Sequence, residues 1–194
     1  MRRRISSKAS RLKYAAHGDH MEPRPVYAYG LFFMHENGLV DQEVIFEYYD
    51  PDKYYAGLLR RPVALSKELK MLGENMQYFL DQEEVYINDE RVYPRVIDVN
   101  IGVKERGRYA YIVFNIEFTG KLRKGINRYV NIYEEERAEY EYIVYWFLPV
   151  NARVVKAEVG VPYEILPNGR GLWFRVKPGT LVGGREEIVF DIKE

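Results

Sequence analysis

Five carboxylates fall within the eight residues EEERAEYE, Glu134–Glu141, which overlap the aromatic run EYIVYWFLP. Paired carboxylates can do general acid–base chemistry when they flank a cleft at a fixed separation and burial raises one pKa. Glu134, Glu135 and Glu136 are consecutive, however, and their sequence position supplies no apolar pocket. They read as a solvated turn and the upper part of a strand. In HGDH, His17, Asp19 and His20 place three candidate ligands in four residues, enough for weak surface binding of a divalent ion but with nothing to fix geometry. His35-Glu36 lacks the second histidine of the helical H-E-x-x-H zinc motif. Three histidines in all, none beside a nucleophile, argue against a Ser/His/Asp triad, and Ser66 is better used as a helix cap. GVKERGRY has no G-K-[ST] and is not followed by a helix, so it is not a phosphate loop. PNGRG and VGGRE hold the glycines that turns need. No catalytic residue, no metal site and no cofactor are therefore expected.

Two groups of residues point instead to binding. Arg2, Arg3, Arg4, Lys8, Arg11 and Lys13 stand against Asp19 alone in residues 1–20, a balance of 6 − 1 = +5. With a formal net charge of zero for the whole chain, the remainder carries about −5. A basic arm of this kind can neutralise phosphates, so nucleic-acid contact through these six residues is one expectation. No aromatic accompanies them before Tyr14, so base stacking is not suggested. The second group is drawn from 18 tyrosines. Tyr27, Tyr29, Tyr109, Tyr111, Tyr129 and Tyr133 fall on strand faces opposite or ambiguous to the expected core. Rings with a polar tip suit protein interfaces and sugar platforms, although they also cover a sheet well.

The elements that would position these residues are mostly strands. VYAYGLFFM, the turn HENG and LVDQEVIFEYY form a hairpin, with Val40, Val44, Phe46 and Tyr48 on one face and Asp41, Glu43 and Glu47 on the other. Leu65, Leu69, Leu72, Met76, Phe79 and Leu80 recur at helical spacing, which predicts a helix over about 66–82. EVYINDERVYP is a hairpin turning at Asn88-Asp89. In YAYIVFNIEF, Ala110, Ile112, Phe114, Ile116 and Phe118 share a face. Roughly ten short strands separated by Gly, Pro and charged turns predict an all-β sandwich with one inserted helix. Residues 1–20 read as a flexible basic arm and residues 21–194 as one domain. Within EYIVYWF, Ile143, Tyr145 and Phe147 leave the second face of the strand apolar as well, so something must cover it. The expected cover is the helix at 66–82; the alternative is a partner molecule.

Composition bounds the rest. Cysteine is absent, which excludes disulfides and cysteine-ligated metals. Six serines and threonines, three glutamines and abundant Glu, Arg and Lys form the pattern of a hyperthermophile or a virus of one. No apolar run is long enough for a membrane span, and the basic N-terminus lacks the apolar core of a signal peptide. A cytoplasmic or virion protein is expected. EYEYIVYWFLPVNARVVKAEVGVPYEIL, Glu139–Leu166, resembles part of vault-type inter-alpha-trypsin domains and of β-sandwich modules in some prokaryotic membrane proteins, in a Leu-Pro strand end and alternating valines. That resemblance carries no functional residue across and assigns no family. The reading is a non-enzymatic structural or protein-interaction module, self-association included. Its alternatives are a nucleic-acid-associated protein working through the arm, and a glycan-binding or glycan-acting protein.

Overall fold

The computed structural model describes residues 21–193, so the basic arm and the HGDH tract lie outside the described residues. Twelve strands and two helices form among them. They are β1 (Arg24–Met34), β2 (Leu39–Tyr49), α1 (Tyr54–Leu58), α2 (Pro62–Leu80), β3 (Glu84–Ile87), β4 (Glu90–Val92) and β5 (Arg95–Lys104). After a short turn at Glu105–Gly107 come β6 (Tyr109–Thr119), β7 (Gly125–Arg137), β8 (Glu141–Phe147), β9 (Ala152–Glu158), β10 (Tyr163–Ile165), β11 (Gly171–Val176) and β12 (Leu181–Ile192). The fold is mainly β, a sandwich-like arrangement of two sheets. One has seven strands in the order β10-β11-β8-β1-β2-β6-β5, the other five in the order β4-β3-β7-β12-β9.

Alternation decides the inner faces. Val40, Val44, Phe46 and Tyr48 of β2 and Ala110, Ile112, Phe114, Ile116 and Phe118 of β6 are all buried, as their period-2 spacing requires. Trp146 of β8 stacks on Phe32 of β1 at 4.2 Å and meets Tyr129 of β7 at 4.4 Å, which ties the two sheets together. Phe190 and Ile188 of β12 complete the same buried cluster from the five-stranded side.

The helix departs from expectation in start, cap and place. It begins at Pro62, whose fixed φ suits the first helical turn, after Arg61 as the flanking residue; Ser66 lies one turn inside and caps nothing. It covers β5 at the far edge of the seven-stranded sheet, not β8 in its interior. Gly73 faces Val99 and Val96 of β5. Gln77 fastens the contact, accepting from the Val96 amide at 2.9 Å and donating to the Pro94 carbonyl at 3.1 Å. The seven-stranded sheet is the wider of the two, and α2 closes the apolar inner face of β5.

Two further readings are corrected. Glu134–Glu136 lie within β7, and Glu136 pairs with Val182 of β12, so they belong to a strand rather than to a turn. Gly183 and Gly184 sit in a bulge inside β12, both at positive φ, where a Cβ on Gly183 would strike the Glu134 carbonyl oxygen.

Candidate functional site

The outer surface of the seven-stranded sheet gathers the aromatic residues that the core does not use. Register places them in rows across the strands. One row runs Trp173–Tyr145–Leu31–Glu43–Asn115, the next Arg175–Ile143–Tyr29–Ile45–Val113, and a third Glu141–Tyr27–Glu47–Tyr111–Gly102. At one end of the strands Phe147 stacks on Phe33 at 5.0 Å; at the other, Tyr49 meets Tyr109 at 5.4 Å. Tyr145 stacks between Phe147 and Trp173 at about 6 Å from each. These side chains support one another sideways, which is why most are only half-exposed. No helix or strand among the described residues lies over them. The second apolar face of β8 therefore opens outward, and the expected helical cover is absent from it.

Within this face lies a shallow depression of about 350 Å³ lined by Tyr29, Leu31, Ile45, Val113, Tyr111, Glu47 and Lys104. Its shape depends on Gly102. A Cβ at that position would fall 2.2 Å from Tyr111 Cζ, so only glycine lets the tyrosine ring lie down across β5. Lys104 Nζ sits 5.4 Å from the Tyr111 ring centroid and donates to Glu47 Oε1 at 2.6 Å. That hydrogen bond to Glu47 holds the Lys104 pKa above its ordinary value, against a smaller opposing effect of desolvation. Arg24 lies over Tyr49 at 5.3 Å, and Arg175 approaches Glu141 at 3.8 Å. The face thus combines aromatic rings, carboxylates and cations already seated between them.

The outer surface of the five-stranded sheet is different in kind. Arg128 pairs with Asp89 and lies 4.0 Å from Glu187, Arg185 donates to Glu187 at 2.5 Å, and Lys156 bonds Glu158 at 3.4 Å. The Arg185 hydrogen bond and the neighbouring cations hold the Glu187 carboxyl below its ordinary pKa. Such a surface satisfies itself in water. The edges of both sheets are also managed: β10 and β4 are three residues long, β5 is bulged at Val96–Asp98 and backed by α2, and β9 carries Lys156 and Glu158.

Of the six tyrosines singled out in the sequence, Tyr27, Tyr29, Tyr109 and Tyr111 lie on this face. Tyr129 does not: it is 4 % exposed, between the sheets. Its strand partner Ile188 shares that inner face, and burial drives its hydroxyl pKa well up, with Glu186 and Glu83 adding to the effect. Tyr133, four residues on and so on the same strand face, turns inward as well and donates to Glu186 Oε1 at 2.5 Å. Asn131 donates to Glu83 Oε2 at 3.0 Å, so Glu83 and Glu186 are both engaged in polar contacts with side chains of β7. Sequence reasoning missed Leu31, Phe33 and Trp173 as face residues, and it assigned Tyr145 and Phe147 to a face whose expected cover was the helix. The signal was present in the doubly apolar run of β8, but not which side of it would stay open. His35 rests on Asp41, Nε2 to Oδ2 at 2.6 Å.

Comparison with known proteins assigns no family. No family model matches the chain, so the resemblance of Glu139–Leu166 to vault-type domains stays without a family match, and no curated protein matches the sequence. Among solved structures, the folded domain of the LppM protein of Mycobacterium tuberculosis is similar at 7 % identity and TM-score 0.36, over 94 % of this chain and 96 % of that one. A protein titled a putative protease from Parabacteroides distasonis is similar at 8 % identity and TM-score 0.34, over 86 % of this chain and 39 % of the other. The acetylcholine-binding protein of Bulinus truncatus gives 11 % and 0.33, over 98 % and 97 %. At these scores the likenesses assign neither ancestry nor activity. No helix among the described residues is long and apolar enough to cross a membrane.

Proposed function

We propose that the protein is a non-enzymatic interaction module, and that the outer face of the seven-stranded sheet docks a protein partner, a second copy of itself included. One observation supports this reading above the others: Tyr27, Tyr29, Tyr109, Tyr111, Tyr145, Phe147 and Trp173 line one sheet face with no described element over them, while the opposite outer face is laced with ion pairs. Rigid aromatic side chains with few rotatable bonds lose little entropy on docking and supply most of the energy of protein interfaces. Groups that could do chemistry point the same way. Glu83 is bonded to Asn131 and Glu186 to Tyr133, which suits a structural polar cluster better than an acid–base pair in a cleft.

The test is light scattering on the full chain across a concentration series, with absorbance at 260 and 280 nm read over the same peak. Wild-type protein is expected to form a multimer free of nucleic acid. The variant Phe33→Thr/Tyr111→Thr/Phe147→Thr, which keeps β propensity and removes three rings, is expected to be monomeric with an unchanged far-UV circular dichroism spectrum. A multimer that survives all three substitutions removes the face from the account. A peak loaded with nucleic acid would favour the arm-mediated alternative.

A further inference from the structure

We propose that the aromatic face pairs with the same face of a second copy across a two-fold axis, so that the ring group of each copy seats in the depression of the other. This rests on the reading of that face as a docking surface and commits it to one occupant.

The two features lie on opposite sides of β1, the middle strand of the seven. Phe33, Phe147, Tyr145 and Trp173 form a bulky stacked group on β1, β8 and β11. The depression extends the other way, over β1, β2, β6 and β5, where Leu31, Ile45 and Val113 are small beside those rings and Gly102 lets Tyr111 lie low. With neighbouring strands about 4.8 Å apart and successive rows about 7 Å apart, the midpoint between the two features falls on β1 between Tyr29 and Leu31. A two-fold axis through that point, in the plane of contact, exchanges them. A bulky group and a hollow related in this way make the surface its own complement, as an isologous interface requires. Because the point lies on the middle strand, the two faces overlap across their whole width and not at one edge. The axis runs diagonally to the strands, so the strands of the two copies cross at about 90°, the orthogonal class of sheet packing.

Charge favours a copy over a strongly acidic or basic partner. Lys104 donates to Glu47 at 2.6 Å, His35 bonds Asp41 at 2.6 Å, Arg175 lies 3.8 Å from Glu141, and Arg95 stands opposite Glu117. A partner with a large charge of either sign would have to compete with these pairs, whereas a second copy brings charges that are matched within itself. The carboxylate still to be accommodated is Glu43, which stands beside Leu31 in register and therefore close to the axis. Area is sufficient as well. From β11 to β5, and from the Phe33 row to the Lys104 row, the face measures about 29 by 25 Å, on the order of 700 Å². A stable interface takes about 800 Å² from each partner, so the contact has to use this face nearly in full.

Cross-linking on the full chain tests this, because a lone cysteine meets its own copy in a two-fold dimer only where it lies close to the axis. Light scattering across a concentration series is expected to reach twice the chain mass of 23.0 kDa and nothing larger. Leu31→Cys, in a chain with no cysteine of its own, is expected to be joined into a covalent dimer by a short bis-maleimide. Lys156→Cys, on β9 of the other sheet, is expected to stay unjoined under the same conditions. Tyr29→Cys takes the place of Leu31→Cys if that chain no longer dimerises. Glu43→Gln is expected to dimerise at least several-fold more tightly, since it removes two like charges brought together near the axis. A wild-type chain that stays monomeric overturns the proposal. So does a mass beyond two copies, a dimer whose β1 cysteine is not joined, or a Glu43→Gln chain that dimerises no more tightly than wild type. If any of these last three results comes from a multimer that disperses on loss of Phe33, Tyr111 and Phe147, the two-fold packing is sunk while the face stays a docking surface. A multimer that survives that loss removes the face itself.

Discussion

Gly102 shapes the candidate site by what it lacks. Its missing Cβ is what allows Tyr111 to lie flat beside Lys104 and Glu47. Replacing it with alanine is expected to push the ring out toward solvent, because the obstructing atoms belong to the far end of an exposed, rotatable side chain. Folding stability should change by less than about 1 kcal/mol, whereas self-association should weaken at least several-fold. Denaturant midpoints beside a light-scattering dilution series separate the two effects; equal association with a collapsed midpoint would mean that Gly102 serves the fold alone. Nothing local marks this residue, since Gly102 and Tyr111 come from different strands and meet only across the β5–β6 pairing.

At the scale of elements, α1 shows how one buried carboxylate organises a connection. Asp50 is 0 % exposed, and its two oxygens accept from the Tyr54 and Tyr55 amides at 2.9 Å each. These amides begin a helix and have no partner within it, so the carboxylate satisfies donors that burial would otherwise strand. Tyr55 and Leu58 then enter the core, and Tyr55 meets Tyr48 at 5.8 Å. Asp50→Ala is expected to cost about 2 kcal/mol or somewhat more, read as a lower urea midpoint at constant slope, with Asp50→Asn losing less. DPDKYYAGLLRRP reads as a bare connection because its helix has five residues, too few for a visible period. The long helix was visible for the opposite reason: Leu72, Met76, Phe79 and Leu80 repeat over several turns. Its destination was not, because an apolar stripe states that a helix is covered without stating by what.

For the whole molecule, an uneven division of surface chemistry is the main consequence of the fold. One outer face is aromatic, with Lys104 and Arg175 seated on its carboxylates, and the other is held by Arg128, Arg185, Glu187 and their partners. Extensive ion pairing and few thermolabile residues lead us to expect thermal unfolding above about 80 °C at neutral pH, followed by calorimetry at two protein concentrations. Because docking adds mass-action stability, the midpoint should also rise with concentration. A midpoint near 50 °C would remove the thermophile expectation, and one independent of concentration would count against self-association.

By itself the sequence determined the strand identities, the hairpin turns and the residues that share a face. Period-2 alternation is local, and Asn88 and Asp89 both adopt the positive φ that a tight two-residue turn demands. Only the tertiary structure decided which faces are covered. Tyr27 and Glu141 become neighbours through the parallel pairing of β1 with β8, strands from opposite halves of the chain, and no local pattern encodes that meeting. The same pairing puts the doubly apolar β8 in the interior of the wider sheet, away from α2, while Tyr129 and Tyr133 face inward on β7. Alternation says that two residues lie on one side of a strand; when both sides are apolar, long-range packing alone selects the one that stays open.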